Sequence, residues 1–77
     1  MRNGWGDIYR AYEGACDNYQ HLYVNGESVG YVNGFDYDGD WGYNAYKVVN
    51  AYDLKWELLG RFDSREEAQR ALSDRAN

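Results

Sequence analysis

The sequence predicts an α+β fold: a four-stranded antiparallel meander with a C-terminal helix packed on one face, and a short helix near the N-terminus. Three observations carry this. Asn25-Gly26 accepts the positive φ angles of a type I′ turn and stands between Leu22-Tyr23-Val24 and Val29-Gly30-Tyr31-Val32, a β-hairpin signature. Eight of the nine glycines fall before residue 43 and there is no proline, a spacing suited to turns between short strands. From Ser64 the chain changes character to good helix formers, opened by a Ser-x-x-Glu capping box from Ser64 to Glu67.

The elements follow in order. In the first twenty residues, Ile8, Ala11, Tyr12, Ala15 and Tyr19 keep an i, i+3, i+4 rhythm after an Asp7 N-cap; Gly14 interrupts it, and Ile8, Arg10 and Tyr12 also alternate as in a strand. The helical rhythm is preferred. After the Asn25-Gly26 hairpin, a strand around residues 30–37 meets a second turn at Asp38-Gly39-Asp40, and the next strand runs over residues 43–52. A connection near Asp53-Leu54 leads into Lys55–Phe62, where a period of two sets Trp56, Leu58 and Phe62 on one face and Lys55, Glu57 and Arg61 on the other. In the terminal helix Ala68, Ala71, Leu72 and Arg75 share one side, a narrow stripe whose alanines allow close approach to the sheet.

Seventy-seven residues form one domain, 1–77, with no Ser/Gly linker and no second core. Val, Leu and Ile number eleven against fourteen Tyr, Trp and Phe, so the core is expected to consist largely of rings. Nine tyrosines exceed what so small a core can hold with every hydroxyl paired, which predicts uncovered rings. Cys16, the only cysteine, excludes an internal disulfide framework and suits a reducing cytoplasm; no apolar run approaches a membrane span or a signal-peptide core.

The net charge of −5 is unevenly spread. Residues 1–46 hold seven acids and two bases, a balance of −5; residues 47–77 hold six of each, a balance of zero. A negative field of this kind repels phosphate backbones and attracts basic surfaces. Along an extended chain Asp36, Asp38 and Asp40 would share a face at about 6.8 Å intervals, comparable to neighbouring phosphates, whereas a hairpin turn would simply solvate them. The same stretch opens like a calcium loop but has Trp41 where glycine is needed and Lys47 where a bidentate glutamate is needed. One Cys and one His make no structural zinc site, Cys16 and His21 lack an orienting third group, and no P-loop or dinucleotide fingerprint occurs. Neither a cofactor nor an enzymatic activity is expected.

Two resemblances bear on function. Leu58–Leu72 looks like a strand-to-helix unit of small phage proteins and of the DNA-binding arm domains of some integrases, although here the strands before it carry the acid excess rather than bases. In size, acidity and Tyr/Asp-rich hairpins over Glu27–Tyr46 the chain is similar to anti-CRISPR proteins and other phage-encoded inhibitors, several of which imitate DNA. That likeness implies an inhibitor acting in the bacterial host cytoplasm, whose partner is the basic surface of a host protein or nucleoprotein complex, with no direct nucleic acid and no membrane. The candidate partner-binding residues are Asp17, Glu27, Asp36, Tyr37, Asp38, Asp40, Trp41 and Tyr43. The alternative is a small nucleic-acid-binding module using Lys47, Lys55, Arg61 and Arg65. Exposed edge strands and surplus tyrosines are also compatible with a homodimer.

Overall fold

Both hairpin turns form as their sequences dictate. In the computed structural model, which describes residues 3–50, 52, 53 and 55–76 (of Tyr37 and Ala76 the backbone only), Asn25 and Gly26 take φ of 53° and 84°. Asp38 and Gly39 take 51° and 95°, so each pair is a two-residue turn of the hand that matches strand twist. The elements are β1 (Gly4–Trp5), β2 (Asp17–Val24), β3 (Glu27–Tyr37), β4 (Asp40–Asn50), β5 (Lys55–Phe62) and α1 (Arg65–Ala76). The strands pair antiparallel in sequence order, and α1 lies against β3, β4 and β5 on one face. The fold is thus α+β with five strands rather than four. Ala51 and Leu54, part of the expected strand end and turn, lie outside the described residues.

Among the described residues no helix forms near the N-terminus: the added strand is the two-residue Gly4–Trp5, residues 6–16 are irregular apart from one bridge at Tyr9, and Tyr19 belongs to β2. Gly4 (φ 102°) and Gly14 (φ 88°) sit in left-handed conformations that a helix does not use, and the edge of β2 offers unpaired backbone groups nearby. Gly4 and Trp5 pair with Tyr23 and Leu22. Gly6 N–H then donates to the His21 carbonyl at 2.8 Å, and Tyr9 and Tyr19 exchange N–H···O bonds at 2.9 and 2.8 Å. The segment therefore finds its hydrogen bonds on β2 and lays Trp5 against the core.

The core is aliphatic rather than aromatic. Leu22, Val32, Ala45, Ala68 and Leu72 form it, with Trp5, Val29, Tyr43, Leu59 and Phe62 packed at its margin. Three small residues make this possible: Gly30 and Ala45 on the sheet and Ala68 on the helix let α1 sit so close that little room is left for rings. The helix starts where expected, with Glu67 N–H donating to Ser64 Oγ at 3.3 Å, Glu66 and Glu67 in the first turn and Arg75 in the last, all favourable to the helix dipole.

A bulge corrects the reading of β5. Ala45 pairs with Gly60 but Tyr46 with Leu58, so Leu59 is an extra residue and the alternation slips by one. Phe62, expected beside Trp56 and Leu58, turns to the core, while Arg61 takes the other face and sets its guanidinium 5.3 Å from the Phe35 ring centre.

Candidate functional site

The face of the sheet away from α1 is where the rings go. Strand alternation sends Asn18, Gln20 and Leu22 towards the helix, and Tyr19, His21 and Tyr23 the other way. Tyr31 on β3, Tyr46 on β4 and Trp56 on β5 continue the row across the sheet, and Tyr9 closes it on the β1 side. Tyr31 is the hub: its ring centre is 4.8 Å from Tyr46 (stacked), 4.7 Å from Trp56 (edge-on), 5.8 Å from Tyr19 and 5.5 Å from His21. Tyr9 lies parallel to His21 at 5.8 Å, and Tyr23 flanks His21 at 6.0 Å. Among the described residues no helix or strand covers this face, and its margins stay open, with Tyr9 47%, Trp56 40% and Leu58 55% exposed.

Polar bonds hold the rings in place. His21 joins Tyr9 Oη to Nε2 at 2.8 Å and Ser28 Oγ to Nδ1 at 2.8 Å, while Ser28 Oγ is 3.3 Å from the Gly30 carbonyl. All three bonds are satisfied by one direction of donation: Tyr9 O–H to Nε2, Nδ1–H to Ser28 Oγ, and Ser28 O–H to the carbonyl. The imidazole is then neutral, and burial holds its pKa below the ordinary value. Tyr19 O–H donates to Asp17 Oδ2 at 2.8 Å. That bond to a carboxylate, aided by burial, pushes the Tyr19 phenol up to about 12.

A pH dependence follows. An unfolded histidine binds its proton near pH ~6.5, and His21 in the fold binds it only at lower pH. Its contribution to stability is therefore complete above the unfolded value and is lost as pH falls from there towards the folded one. Urea midpoints measured from about pH 8 to about pH 5 should fall in the wild type, and His21→Asn should flatten that part of the profile.

The side chain of Tyr37 lies outside the described residues, and the other seven candidate residues do not form one surface. Asp17 starts β2 on the ring face, opposite Phe35, and Asp36 N–H donates to the Cys16 carbonyl, so Asp17 and Asp36 are neighbours at one end of the sheet. Asp38 is in the turn itself, and Asp36 Oδ1 accepts from Gly39 N–H. Asp40 pairs with Tyr37 and Asp36 with Trp41, which places Asp36 and Asp40 on opposite sides of the hairpin. The three aspartates are a solvated tip, not an evenly spaced row. Trp41 and Tyr43 stack at 6.5 Å on the helix side, where Arg65 lies 5.1 Å over the Tyr43 ring, so Tyr43 is covered by the terminal helix. Glu27 begins β3 at the far end of the sheet, roughly 30 Å from the tip at ~3.3 Å per residue.

The basic residues are dispersed as well. Lys47 and Glu57 are cross-strand partners on the helix side, Lys55 starts the outer strand, Arg61 is on the ring face, and Arg65 donates to Asn18 Oδ1 at 2.8 Å and to Gln20 Oε1 at 3.3 Å. Cys16 precedes β2 and is exposed, separated from His21 by the four extended residues Asp17, Asn18, Tyr19 and Gln20. No group of three or more His, Cys, Asp or Glu among the described residues is placed to hold a metal ion, and none of their helices is long and apolar enough to cross a membrane.

The ring face was signalled in the sequence by aromatics at every second position, Tyr19-His21-Tyr23, with Tyr31, Tyr46 and Trp56 on the following strands. An open cleft of about 450 Å³ adjoins the rings at the tip end, between Tyr12 on the loop before β2 and Asn33, Phe35 and Asn44 on the sheet, with Asp17 and Asp36 on its rim. The surface thus offers flat rings at its centre, carboxamides and carboxylates at one end, and Arg61 beside them. No protein-family model, no curated protein and no solved structure matches the chain.

Proposed function

We propose that this chain is a protein-binding domain that docks its partner on the ring face of the sheet, with the carboxylates of the tip steering it to a basic surface. The observation that carries the reading is the uncovered cluster of Tyr9, Tyr19, His21, Tyr23, Tyr31, Tyr46 and Trp56 on one face of a −5 chain. Tyr and Trp supply stiff contact area at small entropic cost and recur as binding anchors. Single-stranded nucleic acid also stacks on rings, but such sites combine them with a basic groove. Here Arg61 is joined on that face by Asp17 and, at the tip, Asp40. The narrower form of the proposal, taken from the likeness to phage inhibitors, is that the partner's basic surface is the nucleic-acid site of a host defence complex. The rival reading, a nucleic-acid-binding module, would draw on four bases that do not share a face.

The test is affinity capture from bacterial lysate with the wild type, with Tyr9→Ala/Trp56→Ala, and with Asp36→Asn/Asp38→Asn/Asp40→Asn, beside a low-salt gel shift with a single-stranded oligonucleotide. Captured protein should be lost with the ring variant, and its association should slow and lose salt sensitivity with the aspartate variant. Oligonucleotide binding at low salt without protein capture would reject the proposal.

A further inference from the structure

The two edges of the sheet are treated differently. On one side the N-terminal segment closes β2, through the pairs of Gly4 and Trp5 and the Tyr9–Tyr19 bridge. On the other, β5 has no neighbour beyond it among the described residues: eight residues of strand, Lys55–Phe62, are last in the sheet. An open edge presents a row of backbone N–H and C=O groups to any strand that can pair with them. Along this one, Trp56 and Leu58 are exposed on the ring-face side.

The charges on β5 choose both the occupant and the register. In an antiparallel pair about a two-fold axis, opposed residues point to the same side of the sheet. Centring the axis on Leu58 pairs Lys55 with Arg61 and Glu57 with Leu59 across the bulge, where opposed side chains no longer share a side, and centring it on Glu57 sets that carboxylate against its own copy, which is unfavourable. Centring it on Leu59 would match Glu57 with Arg61, but the bulge has turned those two to opposite faces. Centring it on Trp56 puts Lys55 opposite Glu57 twice, on the helix side, and brings the two Trp56 rings together on the other. The wider field agrees, because β5 belongs to the half of the chain whose charges sum to zero, whereas the acid excess that would repel a second copy lies in residues 1–46.

We infer that two copies of this chain associate through β5, antiparallel about a two-fold axis at Trp56, joining their sheets into one of ten strands. The two ring faces then become continuous through Trp56, which already touches Tyr31 at 4.7 Å. Within β5 this register opposes only Lys55, Trp56 and Glu57 of each copy, and so short a ladder buries less than the roughly 1,200–2,000 Å² of a stable interface. The dimer is therefore weak and forms in proportion to protein concentration.

Sedimentation equilibrium over a concentration series tests this without knowing any other partner. The wild type should show a monomer–dimer equilibrium. Glu57→Lys should weaken it roughly thirtyfold, since two attractive pairs become repulsive. The double swap Lys55→Glu/Glu57→Lys should restore it, because the opposed charges are again unlike. Lys47 lies across from Glu57 within the chain, and the double swap leaves that pairing lost, so recovery must come from the interface between copies. Both side chains are exposed, and far-ultraviolet circular dichroism confirms that each variant is folded. A wild type that stays monomeric at its highest soluble concentration overturns the inference. So does a dimer that ignores Glu57→Lys but is lost with Tyr9→Ala, which would mean packing through the ring faces instead.

Discussion

Gly30→Ala should remove much of the stability of this domain. A Cβ at residue 30 would meet the Tyr46 carbonyl oxygen and come within 2.6 Å of Leu72 Cδ1 and 2.9 Å of Cδ2. Overpacking of a tight core costs about 1–3 kcal/mol, and a backbone oxygen cannot move aside as a side chain can. A domain of this length has on the order of 4–12 kcal/mol in total. The companion variant Leu72→Ala relieves the two methyl contacts but leaves the carbonyl one, and by itself empties a fully buried site, at a cost of about 2–5 kcal/mol. Urea denaturation of both single variants and of the double variant measures this. A double variant no worse than Leu72→Ala alone would mean that the helix, not the β4 backbone, limits the space above Gly30.

Gln20→Ala should also cost much of the stability, and its effect should be local in the first instance. Gln20 is 9% exposed and joins three parts of the chain. Its Nε2 donates to the Gly6 carbonyl at 3.0 Å, and its Oε1 accepts from Gln69 Nε2 at 2.8 Å and Arg65 Nη1 at 3.3 Å. Truncation leaves these partners unsatisfied beside a cavity, about 1–3 kcal/mol of desolvation that nothing offsets. Amide hydrogen exchange should speed up first at Gly6 and Tyr9, whose N–H groups bond to the outer edge of β2. Protection spread evenly over the sheet would count against this role for Gln20.

These two residues show how much of the fold could be read from the chain. Asn25-Gly26, Asp38-Gly39 and Ser64 act through their own backbone and the next few residues, so turn type and helix start are legible locally. Gly30 reads only as a glycine inside a strand, because its reason is a leucine forty-two residues away. The same holds for the candidate site. The alternation Tyr19-His21-Tyr23 was visible, but not that Tyr31, Tyr46 and Trp56 would stand beside it on one face, since cross-strand register depends on turns and bulges together. The His21 relay joins Tyr9 and Ser28 across β1-side and β3-side neighbours, which no spacing along the chain encodes.

By itself the sequence determined the α+β class, the two tight hairpins, the β5–α1 unit and the concentration of negative charge before residue 47. Each is a property of composition or of a few consecutive residues, where local sterics and hydrogen bonding suffice. Only the tertiary structure decided that the N-terminal segment is held on the edge of β2 by the short strand Gly4–Trp5 and the Tyr9 bridge, that the core is aliphatic while the rings gather on the open face, and that the Leu59 bulge exchanges the sides of Arg61 and Phe62. Those outcomes depend on which unpaired edge and which apolar face are nearest in space once the hairpins have closed, and a period of two cannot count past a bulge.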